Sequence, residues 1–302
     1  MARFTMLGVV ALTAWLAAPD IRAEEKPGKS EVSYDIKKGD KFEYAIDHDT
    51  QNKSQSMDQS RKTSYLVQFE VKSVEKDGAT LKAVFRRVAH QLVEFNKSYD
   101  SAKDVTTDDL MLISHSCLVN KALTVRLNFK GDVLSVSGME DIAALIKKTL
   151  LSKHRIIFLD NPRSLETHLV GFDDTTMMDL FTLCFSGLPE NPIAEGEDWK
   201  NEAIEHYKGA AIKIFNLAHK AASLDQKGSL QIVISGEVRN ARETMFPLIS
   251  SSISGKSEFD VKNGCMKSRE IQIRYEMNVN KEYVAFTAVD LRATLKKRTA
   301  VR

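Results

Sequence analysis

The chain has 302 residues, 43% hydrophobic and 28% charged, and 43 Lys+Arg against 41 Asp+Glu give it a formal net charge of +2. Near-neutrality excludes nucleic acid or a strongly anionic membrane as the main partner. The length allows one large domain or two of ordinary size, with enough buried surface to need no staples.

Residues 1–23 read as a cleaved export signal. Arg3 supplies the positive n-region, "FTMLGVVALTAWLAA" an apolar h-region and "IRA", ending at Ala23, the cleavage positions. The apolar run is too short for a comfortable span of about 20 residues, and no cysteine lies near the cleavage site to carry a lipid. No later apolar run reaches membrane-spanning length, so the expected product is soluble, in the periplasm or outside the cell. Loss of Arg3, Arg22 and Asp20 with the signal keeps it near neutral.

Strand periodicity then dominates. Phe42, Tyr44 and Ile46 alternate with Glu43, Ala45 and Asp47, and Tyr65, Val67, Phe69 and Val71 with Leu66, Gln68, Glu70 and Lys72. The Gly-containing turn "EKDGAT" at 75–80 makes 62–95 a hairpin, and Leu123, Val125, Leu127 and Phe129 before "KGD" and "VLSVS" give another. In the middle, "GMEDIAALIKKTLLSK" has helical spacing, with acids in its first turn and lysines in its last. "DTTMMDLFTLCFSGLP" is a second helix, capped by Asp174 or Thr175 and stopped by Gly187 and Pro189; "DNPRSLETHLVGFDD" between them is loop or short helix. Strands resume at Leu230, Ile232 and Ile234. Asn263-Gly264 marks a tight hairpin before Ile271, Ile273, Tyr275, Met277 and Val279, and Val289, Leu291, Ala293 and Leu295 close the pattern.

The features recur in order. "GDKF" at 39, "EKDGATLKAVF" at 75 and "LNFKGDVLSVSG" at 127 are followed by "GEDW" at 196, "LDQKGSLQIVIS" at 224 and "SEFDVKNGCMKS" at 257. The fold class expected is α+β, predominantly antiparallel β. Two similar β-rich units, 24–138 and 189–302, flank a helical insert at 139–188; one continuous domain over 32–298 is the alternative. Pro189 and Pro192 punctuate the return to extended chain. Trp199 then begins the second unit as Phe42 begins the first.

Motifs that carry chemistry are scarce. "SISGKS" at 252–257 lacks the upstream glycine of a P-loop, and G-x-S-x-G, H-E-x-x-H and C-x-x-C are absent. The seven histidines are spread singly; His115 and Cys117 form an H-x-C pair that a strand would place on one face, without further ligands nearby. No metal or cofactor is expected. Cys117, Cys184 and Cys265 read as buried small hydrophobes in preference to a disulfide pair. Asp108-Asp109 and Asp173-Asp174 read as helix caps or solvated loops, Tyr99-Asp100-Ser101 as a turn.

"YDIKKGDKFEY", "LPENPIAEGEDW" and "GKSEFDVKNGCMKSREI" resemble an uncharacterised family of exported bacterial proteins, classified as a domain of unknown function. The resemblance implies an extracytoplasmic β-rich protein and brings no catalytic residues. The reading preferred is a non-enzymatic binding or envelope-associated protein, with an apolar small molecule or lipid as ligand and Phe42, Trp199, Met177, Phe181 and Tyr99 as structural or contact residues. That comparison with lipid carriers is by fold analogy. The alternatives are an extracytoplasmic hydrolase using His168 with Asp173 or Asp174, and a structural module pairing through exposed sheet edges.

Overall fold

The strands enter one antiparallel sheet. The computed structural model describes residues 29–301 except 56, 161, 186, 208–209, 225–227, 242–246 and 279–282, so the signal read at 1–23 and the strand position Val279 lie outside the described residues. The first stretch contains β1 (Lys41–Ser54), β2 (Met57–Glu75), β3 (Gly78–Leu92), β4 (Lys97–Asp100), α1 (Ile113–Ser116), β5 (Ala122–Leu127) and β6 (Val133–Ser137). The middle holds α2 (Met139–Lys153), α3 (Arg155–Asp160), α4 (Pro162–Thr167) and α5 (Asp174–Thr182). The last stretch contains β7 (Asp198–Tyr207), β8 (Ala210–Leu224), β9 (Ser229–Asn240), β10 (Leu248–Asp260), β11 (Cys265–Asn278) and β12 (Val284–Thr299).

The sheet order is β6-β5-β3-β2-β1-β12-β11-β10-β9-β8-β7, with β4 added to β3. Two meanders, β1-β2-β3-β5-β6 and β7-β8-β9-β10-β11, therefore run in the same order, and β12 joins the end of the second to the start of the first. The inner face follows the period-2 pattern: Phe42, Tyr44, Ile46, Val67, Phe69, Val125, Ile232 and Phe259 are all buried. Each such side chain contributes about 1.5–3 kcal/mol on leaving water.

"GDKF" and "GEDW" form the same turn. Gly39 N donates to Val71 O and Gly196 N to Ala221 O; Val71 N donates to Asp40 O and Ala221 N to Glu197 O. In each, the acidic side chain accepts from the backbone N–H three residues earlier, Lys37 for Asp40 and Ala194 for Glu197, whose carbonyl accepts the return bond. Both glycines have positive φ, +91° and +84°, which the missing Cβ permits. The partner strands carry matching irregularities, between Val71 and Ser73 and between Ala221 and Ser223.

The helical insert covers the first meander. Phe181 packs edge-on to Phe69 with centroids 5.1 Å apart, and Phe185 lies 4.9 Å from Phe69 and 5.8 Å from Tyr44. Asp173, not Asp174 or Thr175, caps α5, its carboxylate accepting from Thr176 N at 2.7 Å. Asp174 serves α2 instead: that helix begins after Gly138, which has no side chain to offer, and Asp174 Oδ1 accepts from Met139 N at 2.9 Å. Cross-helix capping of this kind has no local sequence signal.

The inner face is bridged by the segment before β1. Tyr34 N donates to Phe129 O and Asp35 N to Gly264 O, and the Tyr34 ring lies 6.0 Å from Phe185 and 5.2 Å from Phe259. The second meander curls tightly. β8 and β11 are three strand spacings apart, about 14 Å on a flat sheet, yet Lys213 Nζ donates to Tyr275 Oη at 2.8 Å.

Candidate ligand-binding site

One row of paired residues runs across each meander at the same place relative to its Gly-acidic turn. In the first it is Val71, Leu81, Val125 and Val136. In the second it is Ala221, Ile232, Ser257 and Arg269. The neighbouring pair is Phe42 with Phe69 in the first and Trp199 with His219 in the second. The first meander is apolar at all six positions; the second holds four groups with polar atoms on the same inner face.

Those four are withdrawn from water and short of partners. His219 is 1% exposed, Ser257 2% and Arg269 4%, and Trp199 is half-buried. Arg269 Nε and Nη1, Ser257 Oγ, both ring nitrogens of His219 and Trp199 Nε1 are buried without a hydrogen bond among the described residues. The Trp199 indole stacks on His219, centroids 5.2 Å apart and planes at 16°. Burial pulls the Arg269 guanidinium down to about 10, opposed by Tyr34, and no carboxylate among the described residues forms an ion pair with it. Burial, then the Arg269 charge, push His219 down to about 3, so the imidazole is neutral. The set is one buried cation with Ser257 paired beside it, His219 within reach of its charge and Trp199 stacked on His219, all able to donate.

Two other constellations of polar groups lie apart from this row. On the first meander His48, Thr63 and His90 lie in one inward row. His90 Nδ1 shares a 2.8 Å hydrogen bond with Thr63 Oγ1, and its ring stacks at 3.6 Å on His115, whose Nδ1 is unpartnered. Burial lowers all three histidines. His115 lies on α1, not on a strand, because residues 113–116 form one helical turn; Cys117 follows it and its thiol faces Thr149. No group of three His, Cys, Asp or Glu among the described residues is placed to hold a metal ion.

The outer face carries an open groove of about 620 Å³ across β4, β3, β2, β1, β12 and β11. Its carboxylates largely have partners already: Asp100 receives both ends of Arg87, Asp47 the Ser64 hydroxyl, Glu270 Arg292 and Asp290 Arg274. Such a surface is self-neutralised.

Among the residues singled out from sequence, Phe42, Met177, Phe181 and Tyr99 are 1%, 3%, 0% and 2% exposed. Phe42, Met177 and Phe181 belong to one hydrophobic cluster that Trp199 packs against. Tyr99 sits on β4 beside His90, and Asp100 makes the side-chain turn to Ala102 N. The hydrolase residues do not assemble: Asp173 and Asp174 are engaged at two helix N-termini, and the His168 ring stands edge-on to Phe158 at 5.8 Å. The three cysteines are free and buried, and burial raises each thiol. "SISGKS" lies on β10. Arg269, Ser257 and His219 were missed, although Arg269 has the parity of Ile271, Ile273 and Tyr275, which makes it a charge at an inward position.

No helix among the described residues is long and apolar enough to cross a membrane. No curated protein matches the chain. A family model matches residues 80–266, a span that takes in the helical insert, Trp199, His219 and Ser257 and stops three residues short of Arg269. The chain therefore belongs to DUF6263, a family of unknown function.

Proposed function

We propose that the protein is an exported, non-catalytic binding protein built from two related five-stranded meanders, the first packed shut and the second kept for a largely apolar ligand. The observation that carries this reading is the unequal use of the inner face. The helices approach β3, β6 and β7, while the inner surface of β8–β12, largely apolar around the polar row, has no comparable helix packing among the described residues. Phe215, Met277, Val289 and Leu291 there are only partly buried. Small-molecule sites are concave and mostly apolar with a few polar groups, and such a surface fits that description.

Export rests on the signal read at 1–23, and the N-terminal residue of protein recovered from its own cells should be Glu24 by mass spectrometry. Binding is tested by native mass spectrometry of the same preparation. A retained apolar small molecule, with a melting temperature that falls when it is stripped, is the expected result. Protein that carries nothing and melts identically before and after organic extraction would remove the basis for the reading.

A further inference from the structure

We infer that Arg269, Ser257, His219 and Trp199 form an oxyanion-binding subsite for the carboxylate end of an amphipathic ligand whose apolar body lies along the inner face of β8–β12. This rests on the binding reading above and names the chemistry of its polar end.

The two meanders differ in chemistry at matching positions. Paired positions that hold Phe42, Phe69, Val125 and Val136 in one meander hold Trp199, His219, Ser257 and Arg269 in the other. The first set shows that apolar residues fill these positions well, so the polar set is not needed to complete the sheet. Keeping a guanidinium where a valine suffices carries a large desolvation cost unless a partner offsets it. Among the described residues no carboxylate pairs with Arg269, and its Nε and Nη1 are both buried and unpartnered. Ser257 is its directly paired neighbour on β10, so the two Cβ atoms are about 5 Å apart and both side chains point inward.

Charge selects among anions. His219 stays neutral, leaving Arg269 as the single buried positive charge of the group. A monovalent carboxylate neutralises it, whereas a phosphate dianion would leave one buried negative charge uncompensated. Arg, Ser, Trp and a neutral His together supply N–H and O–H donors for two carboxylate oxygens. Ile232, Ile271 and Ile273 beside them offer hydrocarbon for the rest of the ligand.

The test uses the full chain with Trp15→Phe, which leaves Trp199 as its single indole and places the fluorescent reporter in the subsite. Laurate and 1-dodecanol share a chain and differ at the head group. Laurate is expected to change Trp199 emission and bind at least tenfold more tightly than dodecanol. Arg269→Met should bring the two within about twofold by weakening laurate. Ser257→Ala, a milder change that keeps the charge, should weaken laurate about threefold to tenfold and leave dodecanol unchanged. Equal binding of laurate and dodecanol to the unsubstituted protein overturns the subsite while the apolar-ligand reading stands. Binding of butyrate without laurate keeps the subsite and overturns the apolar ligand. Binding of none of the three, with Arg269→Met raising the melting temperature, shows a merely hydrated arginine and overturns both.

Discussion

Asp40, the acid of "GDKF", is fully buried and is used four ways. Its carboxylate accepts from Lys37 N and Val301 N and lies 3.5 Å from Arg298, and its carbonyl receives Val71 N. Removing one partner of a buried charge pair is more costly than never having built it. Asp40→Ala should therefore destabilise by about 3 kcal/mol, seen as a lower urea midpoint at unchanged slope. The buried histidines make a second residue-scale prediction. His90 and His219 sit near 4 and 3 in the fold, below their unfolded value, so the unfolded chain binds more protons as the pH falls under about 6.5. Stability should be flat above that pH and fall below it, by about 1 kcal/mol per histidine per unit, down to the folded values. A urea titration from pH 7.5 to 4.5 checks the sign, and His90→Phe with His219→Phe should reduce the slope, leaving the part that His48 and His115 contribute.

At the scale of elements, the two adjacent acids before α5 have separate duties. Asp173→Ala should loosen α5 and Asp174→Ala the start of α2, each costing about 1 kcal/mol, and hydrogen exchange should report the loss in different helices. If both variants opened the same helix, the capping assignment would be wrong. Much of the sheet was legible in the sequence because its inner face is apolar at every second position, as in 42–46, 65–71, 230–234 and 271–275. β8 was not. "AAIKIFNLAHKAASL" has the Ala, Lys and Leu content of a helix and gains its conformation from β7 and β9 on either side. Missing β8 hid the pairing of His219 with Trp199, and so half of the candidate site. The second half of β1, "DHDTQNKS", was equally silent, since its inward residues are polar and only partly buried. Arg269 alone left a trace, as a charge in phase with three buried residues.

On the scale of the molecule, the recurrence of turns in the sequence corresponds to two meanders of the same strand order, with the same four hydrogen bonds at "GDKF" and "GEDW". Turn chemistry was the readable part because Gly and acidic residues there answer to local backbone geometry. The packing of Phe181 and Phe185 onto Phe69 and Tyr44 was not readable, since it depends on where α5 lies. The last strand, β12, adds a constraint of another kind. It pairs with β1 through partners more than two hundred residues apart, as Phe42 with Arg298 and Lys53 with Phe286. Such a seam closes only after nearly the whole chain is available, and contacts of that separation form slowly. A chain ending before Val284 should remain sensitive to protease where the full chain resists. The β1–β12 seam thus leaves the two meanders unjoined until residues 286–299 are available to pair with residues 41–53.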